Sequence, residues 1–230
     1  ADISTINSVA IANVANINGV LKANISSFNG LTVPSGSSEV FHETWDSATD
    51  GSYHTGDTIP NTDESGWAIA GASAPDEITI GSNHATIHST TGTYIYLKHT
   101  STGGSSTYNE WRVYCYLSSS NNGDTVIYVY NSGASITSTK IMLDSTNHVY
   151  LNGNSGGSTP TDKWFWLEWT IDHSSEQVTF KVDGTTYGPY DYQSGSGSDD
   201  QCRLEILSRG NDSNDDFGLD DIIVGEGIIS

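Results

Sequence analysis

Apolar and polar residues alternate with a period of two through most of the chain. The clearest case is the segment 163–172, where four apolar side chains share one face: Phe165, Leu167, Trp169 and Ile171. Apolar residues at every second position predict a β-strand with one buried face. Similar alternation recurs in segments separated by Gly-, Ser- and Asn-rich turns: 93–99, 108–118, 124–130, 176–182 and 202–206. About a dozen strands of this kind, with no convincing helix, predict an all-β sandwich.

Two segments at the ends of this alternating region are predicted to pair with each other. One is 39–46, and the other is 217–225, a β-branched run that ends on a glycine. A lone terminal strand is rarely ordered, so the last strand needs a neighbour. Closure of the first strand on the last predicts a jelly roll. The polar stretches 47–65 and 153–161 are expected to be loops, and Asp183-Gly184 predicts a hairpin.

Residues 1–33 contain a repeat with a period of 11 residues. The segments Ile-Ser-Thr-Ile-Asn-Ser-Val, Val-Ala-Asn-Ile-Asn-Gly-Val and Ile-Ser-Ser-Phe-Asn-Gly-Leu begin at residues 3, 14 and 25. Because Asn-Gly favours tight turns, each copy predicts a short β segment bent at its Asn-Gly or Asn-Ser. An amphipathic helix is the alternative, since 11 residues also fit three helical turns.

Repeats this short cannot bury their apolar residues alone and need neighbours. We therefore expect residues 1–33 to be an assembly arm that acts through its apolar positions: Ile6, Ile17, Val20, Phe28 and Leu31. The alternative is an extension packed on its own domain. Residues 34–38, rich in Ser and Gly, are predicted to be a linker to a domain at 39–230.

The charge of the chain lies almost entirely after this arm. The 230 residues include 28 Asp and Glu against 8 Lys and Arg, a formal net charge of −20, whereas residues 1–38 contain only Asp2 and Lys22. Such an excess of acids argues against nucleic acid and anionic membrane surfaces as partners. No apolar run approaches the length of a membrane span. The balance suits divalent cations and neutral partners such as glycans.

Several motifs, taken in order, resemble the concanavalin A-like (laminin-G-like) jelly rolls. They are Phe41-x-Glu43-x-Trp45, Gly66-Trp67, the strand 164–172 followed by 178–184, and Leu219-Asp220-Asp221-Ile222. The resemblance covers roughly residues 39–226 and rests on order and pattern. It implies a glycan-binding module, an adhesion domain or a glycoside hydrolase. It also implies a structural Ca²⁺ near the two termini of the domain.

The Asn-Gly repeat is similar to N-terminal segments of virion proteins of tailed bacteriophages. That resemblance implies that residues 1–33 attach to capsid or tail proteins, and that the chain forms a homo-oligomer at the virion surface. The two resemblances together predict a capsid decoration or fibre protein that displays a glycan- or host-binding domain. The alternative is a secreted bacterial carbohydrate-binding module or adhesin domain, and a glycoside hydrolase comes third.

Calcium has a candidate site if the terminal strands pair. Hard cations prefer several oxygen ligands, and four carboxylates would then approach one another: Glu43, Asp46, Asp220 and Asp221. Strict alternation predicts that only one of Asp220 and Asp221 faces a given site. The tract 211–216, Asn-Asp-Ser-Asn-Asp-Asp, is a second oxygen-rich candidate.

Catalytic motifs are not found in the sequence. Laminarinase-like enzymes of the resembling fold carry a Glu-x-Asp-x-x-Glu strand, and no such string occurs here. Glu168 and Asp172 share a strand face but lie about 13 Å apart, at roughly 3.3 Å per residue. Glycosidases place their two carboxyl groups about 5–9.5 Å apart. The sequence therefore predicts that the chain is not an enzyme. Cys115 and Cys202 are equally compatible with a disulfide and with two buried thiols.

Aromatic side chains off the core face of the strands are the candidate glycan-binding residues. Aromatic faces stack on the C–H surfaces of sugars, while Asn and Asp side chains bind hydroxyls. Trp164 and Trp166 lie opposite the apolar face of their strand, as do Tyr114 and Tyr116. Three further tyrosines are predicted to line the same sheet: Tyr96, Tyr128 and Tyr130. Packing in the core or against a subunit is the alternative role for all seven.

Overall fold

The computed structural model of the protein consists of β-strands and connecting turns throughout the residues that it describes. These are the arm residues 5–6, 9–10, 16–17, 20–21, 27–28, 31–32 and 38, and the ranges 39–102, 109–119, 123–197, 201–210, 216–226 and 228–229. The chain divides into two compact units, of which one comprises residues 39–229 and the other includes residues 1–38. Within the described ranges, no helix has the length and apolar character needed to cross a membrane.

Three hairpins with the same register follow one another in the arm. Each joins two strands of two residues: β1 (Thr5–Ile6) with β2 (Val9–Ala10), β3 (Asn16–Ile17) with β4 (Val20–Leu21), and β5 (Ser27–Phe28) with β6 (Leu31–Thr32). The inner pairs are Ile6 with Val9, Ile17 with Val20, and Phe28 with Leu31. The helical alternative is therefore wrong, because antiparallel pairing recurs in every copy. The Asn-Gly and Asn-Ser dipeptides and most of the predicted linker, 33–37, lie outside the described residues.

The unit 39–229 is built from two antiparallel sheets. Its strands are β7 (Ser38–Glu43), β8 (Gly51–Tyr53), β9 (Trp67–Ala70), β10 (Glu77–Gly81), β11 (His84–His88), β12 (Ile95–His99), β13 (Glu110–Leu117), β14 (Asp124–Asn131), β15 (Thr137–Leu143), β16 (His148–Leu151), β17 (Asn154–Ser158), β18 (Trp164–Asp172), β19 (Gln177–Val182), β20 (Thr185–Asp191), β21 (Gln201–Arg209) and β22 (Asp216–Glu226). The nine-stranded sheet has the order β20-β19-β18-β13-β22-β11-β10-β8, with β7 also paired to β22. The seven-stranded sheet has the order β17-β16-β15-β14-β21-β12-β9. The all-β jelly-roll sandwich is confirmed.

Buried apolar side chains fill the space between the two sheets. The indole rings of Trp111 in β13 and Trp169 in β18 stack at the centre of this core, with ring centroids 5.9 Å apart and planes 9° apart. Burial of a large apolar side chain stabilises the fold by about 1.5–3 kcal/mol. The alternation in β13 and β18 therefore arises because burial of one face in the core stabilises the fold, while the other face lies outside.

The last strand lies inside the nine-stranded sheet. It pairs with β13 from Phe217 to Gly225 along one edge, and with β11 from Asp216 to Leu219 along the other. Since a strand has only two edges, β7 takes the remaining part of the second edge. The predicted pairing of the first strand of the domain with the last is confirmed.

Two strands form where loops were predicted, and a third completes the predicted hairpin. β8 lies within the predicted loop 47–65, β17 lies within the predicted loop 153–161, and β20 returns from Asp183-Gly184 to pair with β19. All three are at the edge of a sheet, where one side of the strand faces solvent. They carry few apolar residues, so the alternating pattern is weak there.

Asp220 and Asp221 form a β-bulge in β22. The register with β13 shifts at this point, so that Tyr114 alone lies opposite the two aspartates. The flanking residues Leu219 and Ile222 are fully buried, whereas Asp220 and Asp221 are both half-exposed. Both carboxylates therefore lie on the outer face, and the prediction that only one could do so is wrong.

Cys115 and Cys202 are not joined by a disulfide. Cys115 lies in β13 of the nine-stranded sheet, and Cys202 lies in β21 of the seven-stranded sheet. Complete burial raises the pKa of the Cys115 thiol well above its usual range. Of the two alternatives that the sequence left open, the disulfide is therefore wrong, and the alternative of two buried thiols holds for Cys115 only, since Cys202 is half-buried.

Candidate functional site

The aromatic residues predicted to bind glycans lie on two different faces of the sandwich. Trp164, Trp166, Tyr114 and Tyr116 are on the outer face of the nine-stranded sheet, in β18 and β13. Tyr96, Tyr128 and Tyr130 are on the outer face of the seven-stranded sheet, in β12 and β14. The prediction that all seven share one sheet is wrong. Alternation tells which face of a strand is outside but not to which sheet the strand belongs.

A pocket of about 230 Å³ opens beside Trp164 on the nine-stranded sheet. We call it the tryptophan pocket, and its lining residues are His84, Thr86, Tyr116, Trp164, Asp216 and Gly218. Gly218 makes room for the indole ring. A Cβ atom at this position would lie 3.1 Å from Cη2 of Trp164 and 3.2 Å from Cβ of Tyr116.

A cluster of rings adjoins the pocket without lining it. Tyr114 lies 5.3 Å from Trp164 and 4.8 Å from Trp166 between ring centroids. Beyond them, the guanidinium carbon of Arg112 lies 4.0 Å from the ring centroid of Trp166, and its Nε forms a 2.8 Å ion pair with Glu168. These contacts hold the rings in fixed orientations, so the aromatic surface is formed in advance of any ligand.

Polar groups line the opposite edge of the tryptophan pocket. The ring of His84 meets the indole of Trp164 edge to face, with centroids 5.3 Å apart. Asp216 is paired with His88, and this hydrogen bond raises the pKa of His88 above its usual value, against the opposing effect of burial. Thr86 lies opposite Gly218 in the sheet register. A ligand in this pocket would therefore meet an aromatic wall on one side and hydroxyl, imidazole and carboxylate groups on the other.

The bulge carboxylates lie close to the same pocket. Asp221 Oδ1 is 3.1 Å from Nε2 of His42. Burial, followed by the neighbouring charges of Asp221 and Asp46, raises the pKa of Asp220 to about 6, and the charge of His84 partly opposes this. Two adjacent carboxyl groups, one of which keeps its proton up to about pH 6, can donate and accept a proton.

Glu43, a predicted calcium ligand, is instead a buried hydrogen-bond acceptor. Oε1 accepts from the backbone N–H groups of Trp45 at 3.1 Å and Asp63 at 3.2 Å. Oε2 accepts from the backbone N–H of Glu64 at 3.0 Å and the indole Nε1–H of Trp67 at 2.9 Å. The side chain is 0% exposed. Glu43 thus fixes the 63–67 segment to the end of β7.

The four predicted calcium ligands do not form a metal site. Glu43 is directed into the protein, Asp46 is exposed, and Asp220 and Asp221 are on the outer face of β22. In the ranges that the structure describes, no group of three or more His, Cys, Asp or Glu side chains could hold a metal ion. Because four N–H donors occupy the Glu43 oxygens, the structural Ca²⁺ does not fit there. The second oxygen-rich candidate, 211–216, lies outside the described residues except for Asp216, which is paired with His88.

Three residues of the tryptophan pocket were not predicted from the sequence, namely His84, Thr86 and Gly218, and a fourth, Asp216, was predicted only as part of the oxygen-rich tract 211–216. All four lie in β11 and at the start of β22, about 50 to 80 residues from Trp164 in the sequence. One signal was available for the bulge. The apolar positions Phe217 and Leu219 are out of phase with Ile222 and Val224, and a phase change inside one strand is the mark of an extra residue.

Solved structures share this fold at low sequence identity. The catalytic domain of an endo-1,3-beta-glucanase (laminarinase) from Thermotoga petrophila RKU-1 has a TM-score of 0.55 and 13% identity, over 83% of this chain and 98% of that one. A sialidase has a TM-score of 0.57 and 12% identity over 80% of this chain, which spans only 19% of the sialidase. A carbohydrate esterase from the Shiga toxin-encoding bacteriophage phi24B has a TM-score of 0.51 and 15% identity, over 83% of this chain and 99% of that one. No protein-family model and no curated protein sequence matches the chain.

The prediction that the chain is not an enzyme is contradicted by these likenesses. Catalytic domains of endo-glucanases adopt the same jelly roll over more than four-fifths of this chain. The missing Glu-x-Asp-x-x-Glu string excludes only one arrangement of catalytic carboxylates on one strand. The Asp220–Asp221 bulge shows that this chain presents acids on its outer face in a way that the motif does not describe.

Proposed function

We propose that this chain is a glycan-recognising jelly-roll protein and that the tryptophan pocket holds the sugar. The observation that carries the proposal is the pocket itself, in which the Trp164 indole lies across Gly218 with Asp216, His84 and Thr86 beside it. An aromatic platform next to a few hydrogen-bonding groups suits the apolar and polar faces of a sugar ring. The fold shared with glucanase, sialidase and esterase structures supports this proposal.

The test is glycan binding by the whole chain and two tryptophan variants. A panel of oligosaccharides, including laminarihexaose, would be titrated while tryptophan fluorescence is followed. Trp164→Ala should lose at least about tenfold in affinity, the equivalent of roughly 1.4 kcal/mol. Trp166→Ala is the matched control, since Trp166 is on the same strand face but does not line the pocket. Equal losses in both variants, or no binding to any glycan, would refute the assignment.

Glycoside hydrolysis is the second candidate activity. Asp220 and Asp221 are adjacent on the bulge, near the pocket, and the raised pKa of Asp220 suits a general acid. Release of reducing ends from laminarin and other glucans between pH 5 and 7 tests this directly. Activity should disappear in both Asp220→Asn and Asp221→Asn, while glycan binding remains. Binding without any turnover would leave glycan recognition as the function of the pocket.

We further propose that residues 1–33 attach the chain to capsid or tail proteins of a bacteriophage, as a decoration or fibre protein. Three features of the arm support the proposal: the 11-residue repeat, the identical register of its hairpins, and the near absence of charge. Short paired strands of this kind gain stability only by stacking on neighbours, whether from other copies or from a partner.

The mass in solution of the full chain and of a chain starting at Pro34 tests this role. If the arm assembles copies of the chain, the full-length protein should be an oligomer and the shortened one a monomer. The compact unit 39–229 gives reason to expect that the shortened chain folds. Two monomers of equal stability would favour the alternative of a secreted carbohydrate-binding module.

A further inference from the structure

The outer face of the seven-stranded sheet concentrates the few cations of the chain. Its strands carry four of the eight Lys and Arg residues but only two of the 28 Asp and Glu residues. We call this surface the basic face, and its charged residues are Lys98, Lys140, Arg203, Arg209, Asp124 and Glu205. A local positive surface on a protein of net charge −20 indicates a partner with negative charge.

Tyrosine rings lie beside the cations on the basic face. Lys98 Nζ is 4.4 Å from the ring centroid of Tyr96, and Lys140 Nζ is 5.8 Å from that of Tyr128. Tyr128 is also stacked on Tyr130, with centroids 5.3 Å apart. The surface thus offers flat aromatic area and positive charge together, which suits a ligand that has both apolar faces and anionic groups.

The sheet register arranges these residues in two parallel rows that run across the strands. One row contains Lys98, Glu205, Tyr128 and Lys140 from β12, β21, β14 and β15. The neighbouring row contains Tyr96, Leu207, Val126, Met142 and Tyr150. Lys98 and Lys140 are three strand spacings apart, about 14 Å at roughly 4.8 Å per strand. An extended ligand lying across the strands would meet a cation at both ends of the first row, with Glu205 and Tyr128 between them, and mostly apolar and aromatic side chains in the neighbouring row.

Lys140 differs from the other three cations. Glu205 is paired with Lys98 at 3.4 Å and with Arg203 at 2.9 Å. Arg209 is paired with Asp124 at 3.1 Å. Among the described residues, no carboxylate forms an ion pair with Lys140, which lines a pocket of about 180 Å³ together with Met142, Tyr150 and Gly153. Its ammonium group is therefore available to an anionic group of a ligand.

We propose that the basic face binds an acidic polysaccharide, with Lys140 contacting a carboxylate or sulfate group and the tyrosines stacking on the sugar rings. The site lies on the opposite sheet from the tryptophan pocket and does not depend on the function proposed for that pocket. Nucleic acid also combines flat rings with negative charge, but its dense phosphates would meet strong repulsion from the 28 acids of the chain. A polyuronate such as polygalacturonate has one carboxylate on each sugar ring and carries fewer charges per length than duplex DNA. Screening confines the remaining repulsion to about 8–10 Å.

The test measures binding of the full chain to polygalacturonate and heparin by calorimetry at 50 mM and 300 mM NaCl. Laminarin serves as the neutral polysaccharide and oligo-dT as the nucleic acid. We expect binding to at least one acidic polysaccharide, weakened by the higher salt. Lys140→Gln should reduce the affinity by about tenfold or more, as expected for loss of one charge-assisted contact. Lys163→Gln is the control, because Lys163 is exposed and paired with Asp183, away from this face.

Trp164→Ala separates this proposal from the function of the tryptophan pocket. That variant should bind the acidic polysaccharides as the unaltered chain does, even if it no longer binds neutral glycans. The proposal is overturned if neither acidic polymer binds, if Lys140→Gln and Lys163→Gln behave alike, or if oligo-dT binds as tightly. Thermal unfolding of each variant checks that the variant is folded, so that a loss of affinity is not caused by unfolding.

Discussion

Gly218 lies against the indole ring of Trp164, which would have to shift by a few tenths of an ångström to accept a side chain at residue 218. A Cβ atom at residue 218 would be 3.1 Å from Cη2 of Trp164, closer than van der Waals contact permits without a shift. The Trp164 side chain therefore owes its position across β22 to the absence of a side chain on the neighbouring strand. In this way a glycine in the middle of a sheet shapes the tryptophan pocket.

Gly218→Ala should weaken glycan binding more than it weakens the fold. The added methyl group displaces the Trp164 ring, so we expect an affinity loss of about tenfold, with less than about 2 kcal/mol lost from the free energy of unfolding. Glycan titration and urea unfolding check the two values. Gly81→Ala is the control, since a Cβ there meets no atom within 4 Å. Unchanged affinity in Gly218→Ala would mean that the ring position is irrelevant to binding.

Glu43→Gln should be strongly destabilising. The amide group of Gln can accept only part of the four hydrogen bonds that the carboxylate accepts, and its own N–H₂ would face another donor. We expect a loss of about 3 kcal/mol in urea unfolding. Glu39→Gln, whose side chain is 44% exposed, should cost less than about 1 kcal/mol.

The loss in Glu43→Gln should be the same with and without EDTA, because N–H donors rather than a metal ion hold this carboxylate. An unaltered protein that is stabilised by Ca²⁺, with the effect removed by Glu43→Gln, would contradict this interpretation of the site.

Asp220 should make the protein less stable as the pH rises. Its folded pKa of about 6 lies above the value of 3.8 for an unperturbed Asp, so the folded state holds the proton more tightly. The contribution of Asp220 is therefore fully present below about pH 4 and is lost as the pH rises through 6. Asp220→Asn should be more stable than the unaltered chain at pH 8 and equal to it near pH 4, in urea unfolding at both values.

Asp172 provides a control of the opposite sign. Hydrogen bonds from Ser174 and Ser175 lower its pKa to about 2, below the unperturbed value. Its contribution is present above about pH 4 and is lost as the pH falls through 2. Asp172→Asn should therefore be slightly less stable than the unaltered chain at pH 8. The same sign of change in both variants would contradict the assigned protonation states.

The thiol of Cys115 should be unreactive in the folded protein. Its side chain is 0% exposed, so a reagent cannot reach the sulfur atom. Burial also raises the pKa of the thiol, so the reactive thiolate does not form. In a Cys202→Ser variant, a disulfide reagent such as 5,5′-dithiobis(2-nitrobenzoic acid) should react only after denaturant is added. Rapid reaction without denaturant would show that β13 opens under native conditions.

The sequence predicts the interior strands well because each has one face in the core. In β18, Phe165, Leu167 and Trp169 face the core, and the residues between them are partly exposed except for Glu168, which is covered on the outer face while paired with Arg112. Edge strands such as β20 do not need a continuous apolar face, since much of their surface meets solvent. Their sequences therefore show no clear alternation of apolar and polar residues. The closing of the domain by β7 and β22 was predictable because an apolar terminal strand must pair.

The functional surfaces were less predictable, for a physical reason. Alternation gives the outward direction of Tyr128 and Trp164 correctly, but it contains no information on which sheet each strand joins. That choice depends on the packing of the whole sandwich. Similarly, Glu43 could be recognised from sequence as a carboxylate near the end of a strand. Three of its four N–H donors, however, come from the segment 63–67, at least 20 positions further along the chain, and only the fold determines where that segment lies.

The interior position of β22 also has a consequence for the order of events during synthesis. Translation produces this strand last among those described, yet β13, β11 and β7 all pair with it. Until residue 226 has left the ribosome, the nine-stranded sheet has a gap at its middle, with unpaired backbone groups on both sides. Such edges are sites of misassembly between nascent chains. A chain of this design should depend on holding factors during translation, and a premature stop before β22 should yield aggregates rather than a shorter folded domain.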